Sequence, residues 1–376
     1  MANDNNTLNG DPVALLIDRA IGELRRGRAI EITTREQSFY AAAIEAMSPT
    51  LLSRLAAIMP GPLELVLTEQ RAGALGLGGT HGLPPGPCIV AVAPRWTLED
   101  LRALAGVGAN AAPRLTSGAT ATAVPAELEP MLSALQLAKS GRLVPALAWR
   151  RVNGADDPSL LRIPAAQIAP YATFLRHRLR RVSQARVPLA GSLATEIALF
   201  RDEHMLAEHV AVIIGRVRPH SVVPVRLHSA CLTGDLLGSL RCDCGEQLKS
   251  AAARISELGG GVLLYLDQEG RGIGLANKLR AYALQDAGLD TLDADRHLGF
   301  LADERTYDIA ALLLKELGIS RVQLLTNNPR KIEALKEHGI DVMGRLPLVG
   351  TTNEHNERYI RAKRDRAGHL AEDASG

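Results

Sequence analysis

The sequence predicts a two-domain α/β protein, with mixed α+β sheets and flanking helices. Three observations carry that expectation. The chain has 376 residues, and about 150 residues per domain makes two domains the natural count. Its character changes near residue 180, from an Ala-, Leu-, Gly- and Pro-rich half with sparse polar chemistry to one where apolar strand-like runs alternate with amphipathic helix-like ones. In that second half the polar residues collect where strand-like runs end, the place where open α/β sheets bind ligands. The boundary is set at 180/181, giving domains 1–180 and 181–376.

Taken in order, Pro12 to Arg26, Gln37 to Ala57 and Glu127 to Lys139 read as helices. The basic run Arg176 to Arg186 reads as a linker or a solvated helix face, the ordinary fate of such charge runs. His209 to Gly215 and Ser221 to Leu227 read as strands. Glu246 to Leu258 places Leu248, Ala252, Ile255 and Leu258 at helical spacing and then meets three glycines, a stop signal. Gly261 to Leu266 is the next strand. Leu275 to Ala287, Asp308 to Leu317 and Arg330 to His338 read as helices, and Arg321 to Leu325 as a strand running into Thr326-Asn-Asn-Pro329. The basic stretch Arg358 to Arg366 reads as a solvated helix.

Composition excludes several function classes. Hydrophobic residues at 46% and charged residues at 22% are globular values, which excludes a disordered or fibrous chain. A net charge of +2 and 3% aromatics argue against nucleic acid as the main partner or a base-stacking surface. The longest uncharged stretch, between Arg71 and Arg95, holds six glycines and four prolines and cannot be a membrane span. Met1 to Gly10 is polar, without the basic-then-apolar order of a secretory signal, so the expected location is cytoplasmic. Four cysteines do not make a disulfide scaffold, and three of them lie close together.

Those three, Cys231, Cys242 and Cys244, form a C-x10-C-x-C arrangement. Thiolates at this spacing suit Zn²⁺, and a site with three protein ligands keeps one position for water, which is catalytic geometry. Buried structural cysteines are the alternative. A second signal is Asp267-Gln-Glu-Gly-Arg-Gly-Ile-Gly-Leu275 directly after a strand. Alternate glycines let backbone amides approach an anion, Arg271 supplies a planar fork, and Glu269 could read a guanine edge; a plain turn is the other reading. Asp303-Glu-Arg305 pairs a carboxylate with a guanidinium two residues away, fit for proton transfer beside an anion or for an ordinary ion pair. Thr326 to Lys331 makes another anion cradle at a helix start. With Arg226-Leu-His-Ser229 just before the first cysteine, these features point to a nucleoside triphosphate.

At these residues the sequence resembles GTP cyclohydrolase II. The resemblance covers about Val182 to Leu370 and rests on RLHSACLTGDLLGSLRCDCGEQL, DQEGRGIGLANKLRAYALQ, LGFLADERTYD and LLTNNPRKIEAL. It implies one Zn²⁺ per subunit on Cys231, Cys242 and Cys244, with Mg²⁺ accompanying the triphosphate. It implies GTP contacts from Arg226, Leu227, His228, Ser229, Gln247, Glu269, Gly270, Arg271, Thr291, Thr326 and Lys331. The reaction implied removes C8 of guanine as formate and releases pyrophosphate, leaving 2,5-diamino-6-(5-phospho-ribosylamino)pyrimidin-4(3H)-one, a step of riboflavin biosynthesis. Asp303 would accept a proton, Tyr282 would orient water near the ring, and Arg305 would act at the α-phosphorus. A guanidinium with pKa above about 12 is a poor nucleophile, so charge stabilisation is the more ordinary role for Arg305. A homodimer is also implied. Ala230 departs from the family pattern, where a glutamate often stands beside the first cysteine; Asp295 and Thr306 are smaller departures. The alternatives are a protein that binds GTP without turnover and a bifunctional enzyme.

The N-terminal half resembles 3,4-dihydroxy-2-butanone-4-phosphate synthase through Ile17 to Arg28 and Leu67 to Leu77. The Mg²⁺-binding acidic cluster of that synthase is missing from Glu31 to Tyr40, where Arg35 stands, and no His-Thr-Glu segment follows. The expectation is a degenerate, non-catalytic domain with a structural or dimer-shaping role.

Overall fold

The computed structural model describes residues 12–58, 62–77, 86–108, 121–122, 128–152, 157–168, 179–192, 194–202, 207–218, 221–348, 350–365, 368 and 370. The chain divides into two compact units, one of Met1–Phe174 with Ala276–Asp303, the other of Leu175–Leu275 with Glu304–Gly376. The sequence boundary at 180/181 lies close to the first division; the segment Ala276–Asp303, inside the second half of the sequence, clusters with the first unit.

The first unit is built on a seven-stranded sheet in the order β5-β4-β3-β6-β2-β1-β7. Its strands are β1 Ile30–Thr33, β2 Ser38–Ala43, β3 Glu64–Leu67, β4 Cys88–Ala91, β5 Ala121–Thr122, β6 Ala146–Val152 and β7 Leu161–Pro164. All neighbours are antiparallel except β1 and β7. Helices α1 Pro12–Arg25, α2 Pro49–Ala57, α3 Glu69–Ala74, α4 Leu98–Ala105 and α5 Leu128–Ser140 belong to the same unit. The core gathers around Leu65, Leu67, Ala146, Leu101 and Met47. Phe39 and Trp149 stack with ring centroids 4.7 Å apart, an arrangement worth about 1 kcal/mol beyond burial.

Two expectations are corrected. Gln37 to Ala57 is not one helix: Ser38–Ala43 is a strand and the helix begins only at Pro49. Phe39 to Ala43 are buried and the strand is paired on both sides, so an apolar run without alternation marks a central strand. Ser48 then caps the helix by accepting from the Leu51 amide, with proline at the first helical position. The basic run near 180 is likewise no helix. It forms β8, Leu179–Arg186, an exposed edge strand paired with one neighbour. Charges on an edge oppose further strand addition.

The second unit carries a sheet in the order β14-β13-β11-β12-β10-β9-β8. Its other strands are β9 Thr195–Asp202, β10 Glu208–Gly215, β11 Val223–Ser229, β12 Gly260–Leu266, β13 Arg321–Leu325 and β14 Asp341–Leu346. β12, β11, β13 and β14 are mutually parallel neighbours, and the rest pair antiparallel. Register sets Ser229 opposite Leu266 and Val225 opposite Leu324, so the carboxyl ends of the three inner parallel strands come together. Helices α6 Cys244–Glu257, α9 Asp308–Glu316, α10 Pro329–Glu337 and α11 Glu357–Asp365 belong to this unit. The segment that joins the first unit supplies α7 Leu275–Asp286 and α8 Thr291–His297. Among the described residues no helix is long and apolar enough to cross a membrane.

Candidate metal and nucleotide site

At the end of β11 the chain leaves the sheet through Ala230, whose amide donates to the Leu266 carbonyl at 2.8 Å. Cys231, 6% exposed, follows, and the next residues, Leu232–Leu236, form one π-turn. Such turns recur at functional sites because they aim groups that a regular helix cannot. Cys242 comes next, and Cys244 opens α6. The three sulfurs lie within 4.8 Å of one another, and the Cys231 and Cys242 sulfurs are 3.7 Å apart. Tetrahedral zinc at a Zn–S length of about 2.3 Å sets sulfurs about 3.8 Å apart. The donor set therefore fits a zinc ion.

Gly234 explains why this turn can close. A Cβ there would stand 2.8 Å from the Cys242 sulfur and 3.1 Å from that of Cys231. All four cysteines are reduced. The Cys231 sulfur, with burial added, pushes the Cys242 thiol above its ordinary value, so protons here favour exchange for a cation. Cys88, in the first unit, is buried and pushed up to about 11, which fits an inert core thiol.

Sequence reading missed the group that organises the turn. Asp235 Oδ2 accepts from the Cys231 amide at 2.9 Å and from the Tyr265 hydroxyl at 3.0 Å, while His228 Nε2 lies 3.0 Å from both carboxylate oxygens. His228 stacks on Tyr265 with ring centroids 5.5 Å apart. Burial lowers the His228 pKa despite Asp235, and burial with Asp235 raises that of Tyr265, so both rings stay neutral. The position inside the C-x10-C segment was the available signal for Asp235. His228, expected at GTP, is buried and bound to Asp235; its Nδ1 has no hydrogen-bond partner.

Other expected residues assemble nearby. Arg226, buried, donates to the Leu325 carbonyl at 2.9 Å and to Gln247 Oε1 at 2.7 Å, and its Nε has no hydrogen-bond partner. Burial lowers its pKa to about 10, which leaves it charged at neutral pH. Gln247 is held in turn by Asp243 at 2.6 Å. Leu227 is a fully buried strand residue that contributes its carbonyl, bound by the Lys331 ammonium at 2.6 Å. Lys331 and Arg305 lie 5.6 and 5.7 Å from the centre of the Tyr307 ring. Ser229 Oγ donates to Gln268 at 3.3 Å and accepts from Arg305 at 3.5 Å. Thr326 Oγ1 accepts the Asn328 amide at 3.0 Å, and Asn328 caps α10.

The loop after β12 is joined to the cysteine turn by Glu269. Its carboxylate accepts the Leu232 amide at 2.6 Å and the Gly270 amide at 2.9 Å. Gly270 and Arg271 both hold left-handed backbone, φ 62 and 61, a strained state for arginine. The Arg271 guanidinium lies 5.6 Å from the Tyr359 ring centre, and its carbonyl accepts the Glu304 amide at 3.1 Å, next to Arg305. A cleft of about 610 Å³ opens on the cysteine turn, with Cys242 and Gly234 on one wall and Glu246, Lys249 and Thr351 on another. Tyr282, on α7, and Asp303 belong to the segment that clusters with the first unit. Thr291 is the first residue of α8 there, and its side chain is outside the described residues.

Fold and site define a class: an α/β enzyme with a metal-competent trio of thiols and buried cations at the ends of parallel strands. The GTP cyclohydrolase II family profile matches residues 180–347. A GTP cyclohydrolase-2 from Azospirillum brasilense is 43% identical over 366 residues, 94% of this chain and 93% of its own length. One from Xylella fastidiosa is 38% identical over 96% of this chain and 88% of its own. One from Shigella boydii is 48% identical over 51% of this chain and 98% of its own. The chain belongs to the GTP cyclohydrolase II family. A two domain 3,4-dihydroxy-2-butanone 4-phosphate synthase from A. baumannii aligns in structure over 89% of this chain and 99% of its own. Its 15% identity and TM-score of 0.32 are too low to bear on the site.

Proposed function

We propose that the protein hydrolyses GTP to formate, pyrophosphate and the diaminopyrimidinone ribosyl phosphate, with one zinc ion on Cys231, Cys242 and Cys244 and Mg²⁺ entering with the triphosphate. The observation that carries this reading is the sulfur trio, whose 3.7 Å contact suits tetrahedral zinc and whose turn opens on a cleft. When bound, zinc supplies the Lewis acidity that makes water a competent nucleophile near neutral pH. The protein's own groups do the rest. Arg226, Lys331 and Arg305 set a field of buried or half-buried cations beside the strand ends, suited to a polyphosphate. Arg305 presents a fork that stabilises charge on the phosphoryl group, the role a guanidinium performs best. Asp303 is the proton acceptor and Tyr282 orients water, roles carried over from the family resemblance. Glu269 uses two acceptor sites on amides, and a carboxylate has about four, so the guanine N1–H and N2–H₂ edge can still be met.

In this reading the enzyme is a cytoplasmic homodimer, and the N-terminal domain is a non-catalytic relative of the butanone phosphate synthase. Glu31, the first carboxylate of the stretch corresponding to that synthase's metal cluster, is 2% exposed and paired with Arg162 at 3.1 Å. Mass spectrometry of products from GTP and Mg²⁺, with metal analysis of the same sample, tests the proposal. Formate and pyrophosphate in equal amounts are expected. GTP bound but unconsumed by zinc-loaded protein would overturn it in favour of a nucleotide-binding role.

A further inference from the structure

The segment Ala276–Asp303 leaves the second unit after Leu275 and returns to it at Glu304, one residue before Arg305. In between it is fastened to the N-terminal sequence at both ends. At its start, Asn277 is fully buried and donates to the Arg142 carbonyl at 2.9 Å. Arg280 donates to Glu45 at 2.8 Å and to Asn277 at 2.6 Å, and the second oxygen of Glu45 accepts the Val144 amide at 2.8 Å. One carboxylate thus holds the turn before β6 and the helix α7 together.

At its far end the anchor is Arg71. The side chain is 1% exposed, and its guanidinium donates to the carbonyls of Leu104 at 2.7 Å, Ala103 at 2.8 Å and His297 at 2.6 Å. These carbonyls end α4 and α8, whose last turns have no helical donors of their own and favour a cation. Thr68 adds a bond from Oγ1 to the Gly299 carbonyl at 2.8 Å. Gly299 has φ 86, and a Cβ there would stand 2.9 Å from that hydroxyl, so close approach and backbone conformation both require glycine.

We infer that the N-terminal unit is a positioning element for the cyclohydrolase reaction: Glu45, Thr68 and Arg71 hold the segment that carries Tyr282, Thr291 and Asp303. This rests on the proposed function. It gives the N-terminal half a task that needs no substrate of its own. The anchors bracket the three residues in sequence, so loosening either end displaces groups that must meet substrate to a fraction of an ångström. A misplacement of about 1 Å costs about 100-fold in rate.

The test uses full-length protein with Arg280→Met and Thr68→Val. Neither residue belongs to the proposed catalytic or binding machinery. The readouts are formate release (kcat and KM), zinc content, and hydrogen exchange over residues 276–303. Arg280→Met is expected to keep one zinc per chain, speed exchange in the segment and lower kcat by about 10- to 100-fold with little change in KM. Arg280→Lys, which retains the charge facing Glu45, should recover part of kcat. Thr68→Val gives the same readings with a smaller loss should Arg280→Met not accumulate. Faster exchange with kcat within about two-fold of the parent, or unchanged exchange in both variants, overturns the inference. A parent that binds zinc but releases no formate overturns the proposed function instead, so the two failures are distinct.

Discussion

The two units bury arginines for different purposes. Arg71 in the first has three main-chain carbonyls around its fork, two from α4 and one from α8. Arg226 in the second divides its fork between a carbonyl and Gln247 and leaves Nε without a hydrogen-bond partner. Both have their pKa lowered to about 10 by burial, so burial alone does not mark a functional cation. Company does. Arg71 faces helix ends, where a positive charge is an architectural fitting. Arg226 stands in the field of Asp243 and Cys244, at the carboxyl end of the parallel strands. The sheets show the same contrast. The first unit's single parallel pair lies at an edge, while the second has four adjacent parallel strands whose ends collect the chemistry.

The comparison can be broken most sharply at the sulfurs. Cys242→Ser replaces a soft thiolate with a poor zinc ligand. Zinc and formate release should disappear together, activity by 1,000-fold or more on the order of magnitude expected for a lost catalytic metal. Stoichiometric zinc in the variant would refute the ligand assignment. Next comes Arg71→Met, which orphans three carbonyls in the first unit. Denaturant unfolding should show a loss of about 3 kcal/mol or more, since each unpaired buried polar group costs about 1–3 kcal/mol. If Arg71 is architectural, the second unit's zinc content stays at one per chain.

A smaller effect is expected at Asp235, which touches the Cys231 amide, Tyr265 and His228 but offers no metal ligand of its own. Asp235→Asn should weaken zinc affinity about 10- to 100-fold, the usual scale for a residue that orients a ligand. Competition with a chelator measures it. The smallest concerns His297, whose pKa falls from its ordinary 6.5 to about 4 through burial and then the nearby Arg71. The folded state keeps this ring neutral where the unfolded chain protonates it. Its contribution is therefore fully present above pH 6.5 and is lost as pH falls toward about 4. His297→Gln should lose less stability than the parent across that window. The half-exposed ring is screened by solvent, so the difference should be under about 1 kcal/mol by denaturation.

Much of the second unit was legible because its signals are local. Strands read as His209–Gly215 and Arg321–Leu325 appear as Glu208–Gly215 and Arg321–Leu325, and the helix read as Glu246–Leu258 runs Cys244–Glu257. The thiol spacing showed the trio because thirteen residues of one turn deliver all three sulfurs, with Gly234 giving them room. Illegible features depended on distant partners. Phe39 to Ala43 looked helical until strands on both sides claimed it. Asp235 reads as any loop carboxylate until Tyr265, thirty residues on, turns its hydroxyl toward it. The packing of Ala276–Asp303 on the N-terminal sequence has no local signature at all, because Asn277, Arg280 and Gly299 read equally well as parts of a self-contained second half.

That packing also sets an order of events during synthesis. Arg71 emerges 226 residues before the His297 carbonyl that completes its fork. The first sheet can be made early, but its last donor must wait until most of the polypeptide has left the ribosome. Contacts so far apart in sequence close late and slowly. A nascent chain halted before residue 297 would carry a guanidinium with one of its three carbonyls missing, a weak point that chaperones or proteases can find.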